Sequence, residues 1–364
     1  MRVASRGPRP DKPPVTSRPL HIVNAMFGAK LGGLEQVFVD YSEALAARGA
    51  RMTNFVVPGA LSGPPLRALQ QEVVEVGNAG QWDPLAAWRL RRALARLRPD
   101  AVIAHGNRAI ALMRRAASGV SPVIAVTHNI NVKSAIGAAR VIAINDDMRA
   151  RLVAAGQPEA RVAKLFNMIR RPAALPAAAA PKSPPVIGAM GRFVPKKGFD
   201  VFLSALALMK AEGRPFRAIL AGSGELEAAL KAQAADLNLG DALSLPGWVA
   251  DKAAFFDEVD LFVFPSSHDV CPVVLLEAFL WAKPVVLTDC PGPREISNDG
   301  VDSLLFPIGD AQALADAIGR ALDEPGLAVR LGAAAQAKIL AEHTFEKAGA
   351  RLEAIVAAAA EEDR

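Results

Sequence analysis

Two acidic residues, Asp269 and Glu277, are separated by seven mostly apolar residues. Asp269 follows the strand-like run Leu261–Phe264, and Glu277 falls within a short apolar helical pattern. In open α/β sheets, ligands bind in the crevice at the carboxyl ends of the strands. Ionised carboxylates only accept hydrogen bonds, so this pair suits a ligand rich in hydroxyl groups. The alternative is a charge that favours the helix dipole, with a glutamate that extends to the surface.

Two basic residues, Arg192 and Lys197, lie in the segment 191–198, directly after the strand-like run Val186–Met190. Arginine binds phosphate through a two-pronged fork, and lysine binds it as a point charge. The segment also precedes a predicted helix, whose first N–H groups favour an anion. We therefore predict a phosphate site here, with a solvated basic loop as the alternative.

A glycine pair, Gly32-Gly33, follows the first predicted strand. Paired glycines allow the backbone to approach a phosphate closely at the start of a helix. The segment is neither a GxGxxG fingerprint nor a Walker A loop, which argues against dinucleotide and P-loop binding. Two histidines, His105 and His128, end predicted strands, and for each the alternative to a ligand contact is a hydrogen bond to backbone.

Strand-like runs alternate with helical patterns from Leu20 onward, which predicts parallel sheets covered by helices. A Pro/Ala-rich stretch interrupts the alternation and predicts a linker. The length of 364 residues also favours two domains. The predicted organisation is a disordered basic tail (1–18), a first Rossmann-like domain (19–170), a linker (171–185), a second Rossmann-like domain (186–343) and a C-terminal helix that packs back on the first domain (344–364).

The charge is divided unevenly: residues 1–180 carry a formal +14 and residues 181–364 carry −9. This asymmetry predicts that the first half meets an anionic partner. Nucleic acid is disfavoured, because the chain has one tyrosine for stacking and no recognised nucleic-acid motif. An anionic membrane surface or a phosphorylated acceptor fits better. The arginine-rich helical pattern 84–98 is the candidate surface, and the alternative is an ordinary domain helix with solvated arginines.

Cysteines and histidines give little sign of a metal or a disulfide. Cys271 and Cys290 form no CxxC pair, which favours a reducing compartment and a cytoplasmic location. The five histidines show no metal-ligand spacing, so we predict no metal and no other cofactor. The sequence contains no stretch of about 20 apolar residues, so we predict no membrane span.

Together these residues resemble the retaining glycosyltransferases of family 4, which have the GT-B fold of two Rossmann-like domains facing across a cleft. The resemblance implies that domain 19–170 lies on the acceptor side and that domain 186–343 binds the donor. The resemblance implies that Glu277 binds the donor ribose, that Asp269 and His128 lie at the transferred sugar, and that Arg192 and Lys197 neutralise the diphosphate. The other implied donor-binding residues are Gly32, Gly33, Val273 and Val274. The segment Gly292–Glu295 resembles the Gly-x-x-Glu turn of the family, in which Glu295 is structural.

The chain departs from the family pattern at Asp269, where a glutamate is usual, and at Cys271-Pro272, where a glycine often stands. The resemblance implies metal-free transfer of a sugar from a nucleotide-diphosphate sugar to a glycan or lipid-linked acceptor. Such transfer builds lipopolysaccharide or other surface glycans, at the inner face of the plasma membrane. The alternatives are a nucleotide-sugar epimerase of the same fold and an inactive scaffold protein.

Overall fold

The computed structural model describes residues 18–29, 32–128 and 131–362. The predicted tail lies outside these residues except for Arg18, which forms an ion pair with Asp100 at 2.7 Å. The described residues form two parallel β-sheets, each covered by helices. Consequently the architecture is α/β with two Rossmann-like domains, as the strand-helix alternation predicts.

The first sheet has seven parallel strands in the order β3-β2-β1-β4-β5-β6-β7. Its strands are β1 (His21–Met26), β2 (Arg51–Val56), β3 (Glu72–Glu75), β4 (Ala101–His105), β5 (Val123–Thr127), β6 (Arg140–Ala143) and β7 (Val162–Lys164). The helices between them are α1 (Gly33–Ala46), α2 (Gly63–Ala68), α3 (Pro84–Leu97), α4 (Gly106–Ala116) and α5 (Asp146–Ala154). The sequence patterns had not predicted the short helix α2.

The second sheet has six parallel strands in the order β10-β9-β8-β11-β12-β13. Its strands are β8 (Val186–Met190), β9 (Arg217–Ala221), β10 (Leu243–Gly247), β11 (Leu261–Phe264), β12 (Val285–Thr288) and β13 (Leu304–Phe306). Its helices are α6 (Phe199–Ala211), α7 (Glu227–Asp236), α8 (Lys252–Glu258), α9 (Val273–Leu280), α10 (Ala311–Asp323) and α11 (Leu327–Glu342). The last helix of the chain is α12 (Phe345–Glu362).

The central strands are buried on both faces, which explains their uninterrupted apolar sequences. All six residues of β1 are buried, and so are all four of β11. Parallel strands need crossover helices, and these cover both faces of the sheet. One apolar cluster continues from the first sheet into the second, with Tyr41, Met168 and Leu276 among its members.

The two domains contact each other where the carboxyl ends of their strands meet. The side chain of Asn145 donates to the carbonyl oxygen of Val270 at 3.0 Å, and that of Asn167 donates to the carbonyl oxygen of Cys271 at 2.7 Å. The carboxylate of Glu295 accepts hydrogen bonds from the backbone N–H groups of Asp146 and Asp147. This carboxylate therefore compensates the N-terminal dipole of α5 from the other domain.

The C-terminal helix α12 follows the second domain in sequence but packs against α1, β4 and β5 of the first. A side chain at Gly349 would already contact Ala44 at 3.4 Å, which shows how closely α12 approaches α1. Leu352 is fully buried. Ion pairs Arg48–Glu353 and Arg140–Glu362 lie at its edges. The chain thus crosses between the domains twice.

We expect Leu352→Ala to lower the free energy of unfolding by about 2–5 kcal/mol, because it leaves a cavity under α12. Urea unfolding followed by fluorescence measures this loss. Leu61→Ala is the matched control, since Leu61 is 56% exposed, and it should change stability by less than about 0.5 kcal/mol. Equal losses in the two variants would contradict the packing of α12.

Candidate functional site

Lys197 and Asp269 form an ion pair at the carboxyl edge of the second sheet. The Nζ atom of Lys197 lies 2.6 Å from Oδ2 of Asp269, and the two side chains are 14% and 15% exposed. The other carboxylate oxygen, Oδ1, accepts a hydrogen bond from the N–H group of Val270 at 3.0 Å. The structure thus joins two residues that the sequence had placed in separate motifs.

Two glycines allow the loops around this ion pair to pack backbone against backbone. Gly198 has a φ of +63°, and a Cβ atom there would lie 2.1 Å from the carbonyl oxygen of Pro265. Gly292 has a φ of +88°, and its Cβ would lie 2.5 Å from the carbonyl oxygen of Asp269. No other residue type fits either position without displacing the backbone. Consequently the loops after β8, β11 and β12 hold Lys197 and Asp269 in place.

Glu277 on α9 is half-buried, and only one of its two carboxylate oxygens has a partner. Its Oε1 atom pairs with Nζ of Lys252 at 2.6 Å. Its Oε2 atom is buried and has no hydrogen-bond partner among the described residues. Burial raises the pKa of Glu277, and the neighbouring Lys252 ammonium opposes that rise. An unsatisfied buried acceptor is costly, so this oxygen is suited to a donor from a ligand.

Two residues of this site were missed by the sequence analysis. Lys252 begins α8, which has only seven residues and gives too short a periodic signal for prediction. Asp40 lies on α1 of the first domain, where it accepts a hydrogen bond from Nε2 of Gln36 at 2.8 Å. Burial raises the pKa of Asp40 to about 7, and the charge of Glu277 adds to that rise. Helix α1 therefore brings an acidic group close to Glu277 across the domain interface.

The remaining candidates surround this core without contacting it through hydrogen bonds. Arg192 is exposed, and its side chain makes no hydrogen bond or ion pair with the part of the chain that the structure describes. Val273 and Val274 are half-buried in the first turn of α9. Gly32 precedes α1 in an extended conformation, and Gly33 is exposed at its first position. The structure does not test the predicted ligand-binding roles of these five residues, which stay predictions.

His128 directly follows β5 and contacts a second histidine. Its Nε2 atom lies 3.3 Å from Nδ1 of His105, whose Nε2 atom lies 3.0 Å from Oδ1 of Asn24. Burial lowers the pKa of His128 to about 3 and lowers the pKa of His105 well below its usual value. Both imidazoles are therefore neutral near pH 7. Within the described ranges, no group of three or more His, Cys, Asp or Glu side chains could hold a metal ion.

Helix α3 presents tryptophan and arginine side chains to solvent. Trp82 is 74% exposed, Leu85 64% and Trp88 55%. The guanidinium of Arg92 lies over the Trp88 ring at 4.8 Å, and that of Arg115 lies over the Trp82 ring at 5.2 Å. We call these five residues the Trp-Arg surface. On the opposite face of α3, Leu90 and Leu94 are buried in the domain core.

Two family models match consecutive parts of the chain. The model described as "Glycosyltransferase Family 4" matches residues 31–170, and the model "Glycosyl transferases group 1" matches residues 171–338. A lipopolysaccharide core biosynthesis glycosyltransferase, LpsE of Rhizobium meliloti (strain 1021), is 28% identical over 86% of this chain and 92% of its own length. The amylovoran biosynthesis glycosyltransferase AmsK of Erwinia amylovora is 34% identical over 42% of this chain and 40% of its own.

Solved structures of the same architecture superimpose over nearly the whole chain. Anabaena Alr3699/HepE in complex with UDP and glucose has a TM-score of 0.78 at 20% identity, and covers 92% of this chain and 98% of its own. The lipopolysaccharide outer core galactosyltransferase WaaB in its apo form has a TM-score of 0.76 at 14% identity, with the same coverage. At these identities the structures establish the GT-B fold.

Asp40 supplies a pH-dependent contribution to stability, and its sign follows from its raised pKa. The folded protein retains the Asp40 proton up to about pH 7, whereas the unfolded chain releases it near pH 4. Between these pH values the folded state binds more protons, so the free energy of unfolding falls as the pH rises.

We expect Asp40→Asn to lose less stability than the unmodified protein between pH 5 and pH 8, because asparagine has no proton to release. Urea unfolding of both proteins at the two pH values measures the difference. Asp241→Asn, at an exposed position, is the control and should follow the unmodified protein. A pH dependence that Asp40→Asn leaves unchanged would rule out this contribution.

Proposed function

We propose that the donor of this protein is a nucleotide-diphosphate sugar. The chain belongs to the group 1, family 4 glycosyltransferases and has their GT-B fold, so it is a glycosyltransferase. The observations that carry this proposal are the buried Oε2 atom of Glu277, which has no partner among the described residues, and the Lys197–Asp269 ion pair, whose Asp269 lies in the loop that precedes α9. An acceptor oxygen suits a ribose hydroxyl, and the ammonium suits a diphosphate. The UDP and UDP-glucose complexes of the HepE protein support this choice of ligand class.

On this proposal, donor binding exchanges the partners of Lys197. Its ammonium turns from Asp269 to an oxygen of the diphosphate, and Arg192 approaches the same group from the exposed side. Asp269 then accepts hydroxyl groups of the transferred sugar and positions it. Preorganised positive charge at a developing anion is usually a large catalytic contribution, and here it requires no metal ion.

We propose that the transfer retains the anomeric configuration. The bond between the anomeric carbon and the diphosphate oxygen breaks, and a bond to the acceptor oxygen forms on the same face of the sugar. The acceptor proton passes to an oxygen of the departing diphosphate, so that no side chain has to serve as the base. Asp269 is accordingly a positioning group in this scheme.

The acceptor is proposed to be a glycan or lipid-linked glycan of the cell surface. The names of the relatives support this, because LpsE and LpsD of Rhizobium meliloti are lipopolysaccharide core glycosyltransferases and AmsK acts in amylovoran biosynthesis. No helix in the described part of the chain is long and apolar enough to cross a membrane. We propose that the protein reaches such an acceptor by peripheral binding at the inner face of the membrane, through the positively charged first half of the chain.

The Trp-Arg surface is the proposed membrane contact. Exposed tryptophans place their amphipathic rings at the level of lipid headgroups. Basic residues near an anionic leaflet each contribute about 1 kcal/mol to binding. The surface belongs to the half of the chain that carries +14, which adds long-range attraction to anionic lipid.

We expect Glu277→Gln to weaken donor binding by about 10- to 100-fold, because it removes charge-assisted hydrogen bonds. Thermal-shift titrations with UDP, GDP, ADP and their sugars measure this, starting from whichever ligand stabilises the unmodified protein. Glu258→Gln is the control, since Glu258 pairs with Arg217 at the amino end of β9.

Sugar transfer by the unmodified protein and by the two variants is then measured with and without EDTA. NMR of the product gives its anomeric configuration. If no nucleotide sugar raises the thermal stability of the unmodified protein, the result would favour the scaffold hypothesis. An isomerised donor formed without an acceptor would favour the epimerase hypothesis. Loss of activity with EDTA would contradict metal-free transfer, and an inverted product would contradict retention.

We expect the double variant Trp82→Ala, Trp88→Ala to sediment with anionic vesicles at least about tenfold more weakly than the unmodified protein. Vesicles of phosphatidylglycerol are compared with vesicles of phosphatidylcholine at low and moderate salt. The matched control is Trp248→Ala, because Trp248 is 63% exposed but lies in the second domain. Equal binding by both variants, or no preference for anionic lipid, would refute the proposed membrane contact.

A further inference from the structure

Three polar side chains form a hydrogen-bonded chain through the first domain towards its cleft edge. Asn24 on β1 is fully buried, and His105 at the end of β4 is 1% exposed. His128, directly after β5, is half-buried at the carboxyl end of the sheet. The donor and acceptor role of each atom in this chain follows from its innermost member.

The amide of Asn24 can be oriented in only one way. Its Nδ2 atom donates to the carbonyl oxygen of Phe38 at 3.0 Å, which is an acceptor in every state. Its Oδ1 atom therefore faces Nε2 of His105 at 3.0 Å. Since Oδ1 only accepts, Nε2 of His105 must carry a proton.

The proton on Nε2 of His105 determines the state of His128. A neutral imidazole has one N–H group, so Nδ1 of His105 is an acceptor. The atom 3.3 Å away is Nε2 of His128, which must then be the donor. Burial keeps both rings neutral by lowering the pKa of each. His128 is left with an unprotonated Nδ1 atom, which has no hydrogen-bond partner among the described residues.

Packing prevents His105 from rotating to another arrangement. The ring of Phe38 meets it edge-on at a centroid distance of 5.6 Å, and the ring of Tyr41 does so at 5.1 Å. His105 and His128 lie nearly parallel, with an interplanar angle of 19°. A proton on Nδ1 of His105 instead of Nε2 would place that N–H group against the N–H group of His128 and leave Oδ1 of Asn24 without a donor, so the tautomers of the two histidines are linked.

We propose that Asn24 and His105 are positioning residues that fix the Nε2–H tautomer of His128, which then accepts a hydrogen bond through Nδ1 from a hydroxyl group of the transferred sugar. The ligand half of this inference rests on the proposed function, whereas the tautomer half does not. It follows that the sugar must present a donor group at this place. A fluorine or methoxy substituent there cannot replace the hydroxyl, because neither donates a hydrogen bond.

The tautomer is tested on the unmodified protein by ¹⁵N NMR of the imidazole rings, with the five histidines assigned through single substitutions. We expect both His105 and His128 to be neutral and protonated at Nε2. His105→Leu removes the acceptor for His128, and the His128 signals should then move towards those of exchanging tautomers. His21, which pairs with Thr53, serves as an internal reference whose signals should remain unchanged. An unmodified protein with His128 protonated at Nδ1 would overturn the proposal.

The ligand contact is tested by two substitutions of His128 that differ in the atom they preserve. The Oδ1 atom of asparagine is an acceptor close to the position of Nδ1, whereas a glutamine amide extends to the position of Nε2. We expect His128→Asn to retain at least about tenfold more kcat/KM than His128→Gln with the preferred donor. His105→Leu should lower kcat/KM by several-fold while transfer remains measurable.

The two experiments fail independently of each other. If no nucleotide sugar is used but the NMR shows the Nε2–H tautomer, the proposed function is wrong and the positioning chain stands. If transfer occurs but the asparagine and glutamine variants are equally active, the contact between Nδ1 and the sugar is refuted. A His128 protonated at Nδ1 together with active transfer would refute both the positioning chain and the Nδ1 contact, while the proposed function would stand.

Discussion

The site depends on the direct packing of backbone against backbone where three strands of the second sheet end. Gly198 packs against the carbonyl group of Pro265, and Gly292 packs against the carbonyl groups of Asp269 and Val270. These contacts leave no space for side chains, so the loops have a single arrangement relative to one another. The ion pair between Lys197 and Asp269 is short and nearly buried because these loops fix both ends. Without that constraint, two charged side chains in mobile loops would gain little from pairing.

The buried charges are balanced only in part. Glu277 has one oxygen paired with Lys252 and one oxygen without a partner among the described residues, and Asp40 relies on a single hydrogen bond from Gln36. Buried groups of this kind lower stability, and they are typical of sites in which a ligand supplies what the protein omits. The polar chain of the first domain differs, because Asn24 and His105 are hydrogen-bonded to one another, to the backbone of Phe38 and to His128. One side of the site is thus prepared for a ligand, and the other is rigid before any ligand binds.

Much of this arrangement was predictable from the sequence because it follows from local patterns. The buried strands are uninterrupted apolar runs, and the predicted bounds of β8 and β11 are the observed ones. The family resemblance and the GT-B fold were confirmed by the family models and the structural neighbours. The site assignments for Asp269, Glu277 and the other candidates stay predictions, although the structure brings several of them to one edge of the sheet.

What the sequence did not predict are pairings between distant parts of the chain. Lys252 reaches Glu277 from a seven-residue helix, and Asn24 reaches His105 across neighbouring strands, so no local spacing reveals either contact. Asp40 was missed because a polar residue on an amphipathic helix is usually exposed, and its burial depends on how the second domain packs. These contacts depend on tertiary structure, which periodic patterns and motifs describe only in outline.

The bonds that join the domains also bear on how the sequence of this protein can change over time. Asn145 and Asn167 contact the carbonyl oxygens of Val270 and Cys271, which every amino acid possesses, and neither bond involves a side chain of that loop. Residues 270 and 271 can therefore be replaced during evolution while both domain contacts persist. These two hydrogen bonds therefore restrict the side chains at 270 and 271 only through the core in which Cys271 is buried, and the Cys271-Pro272 sequence is an example of divergence that this junction tolerates.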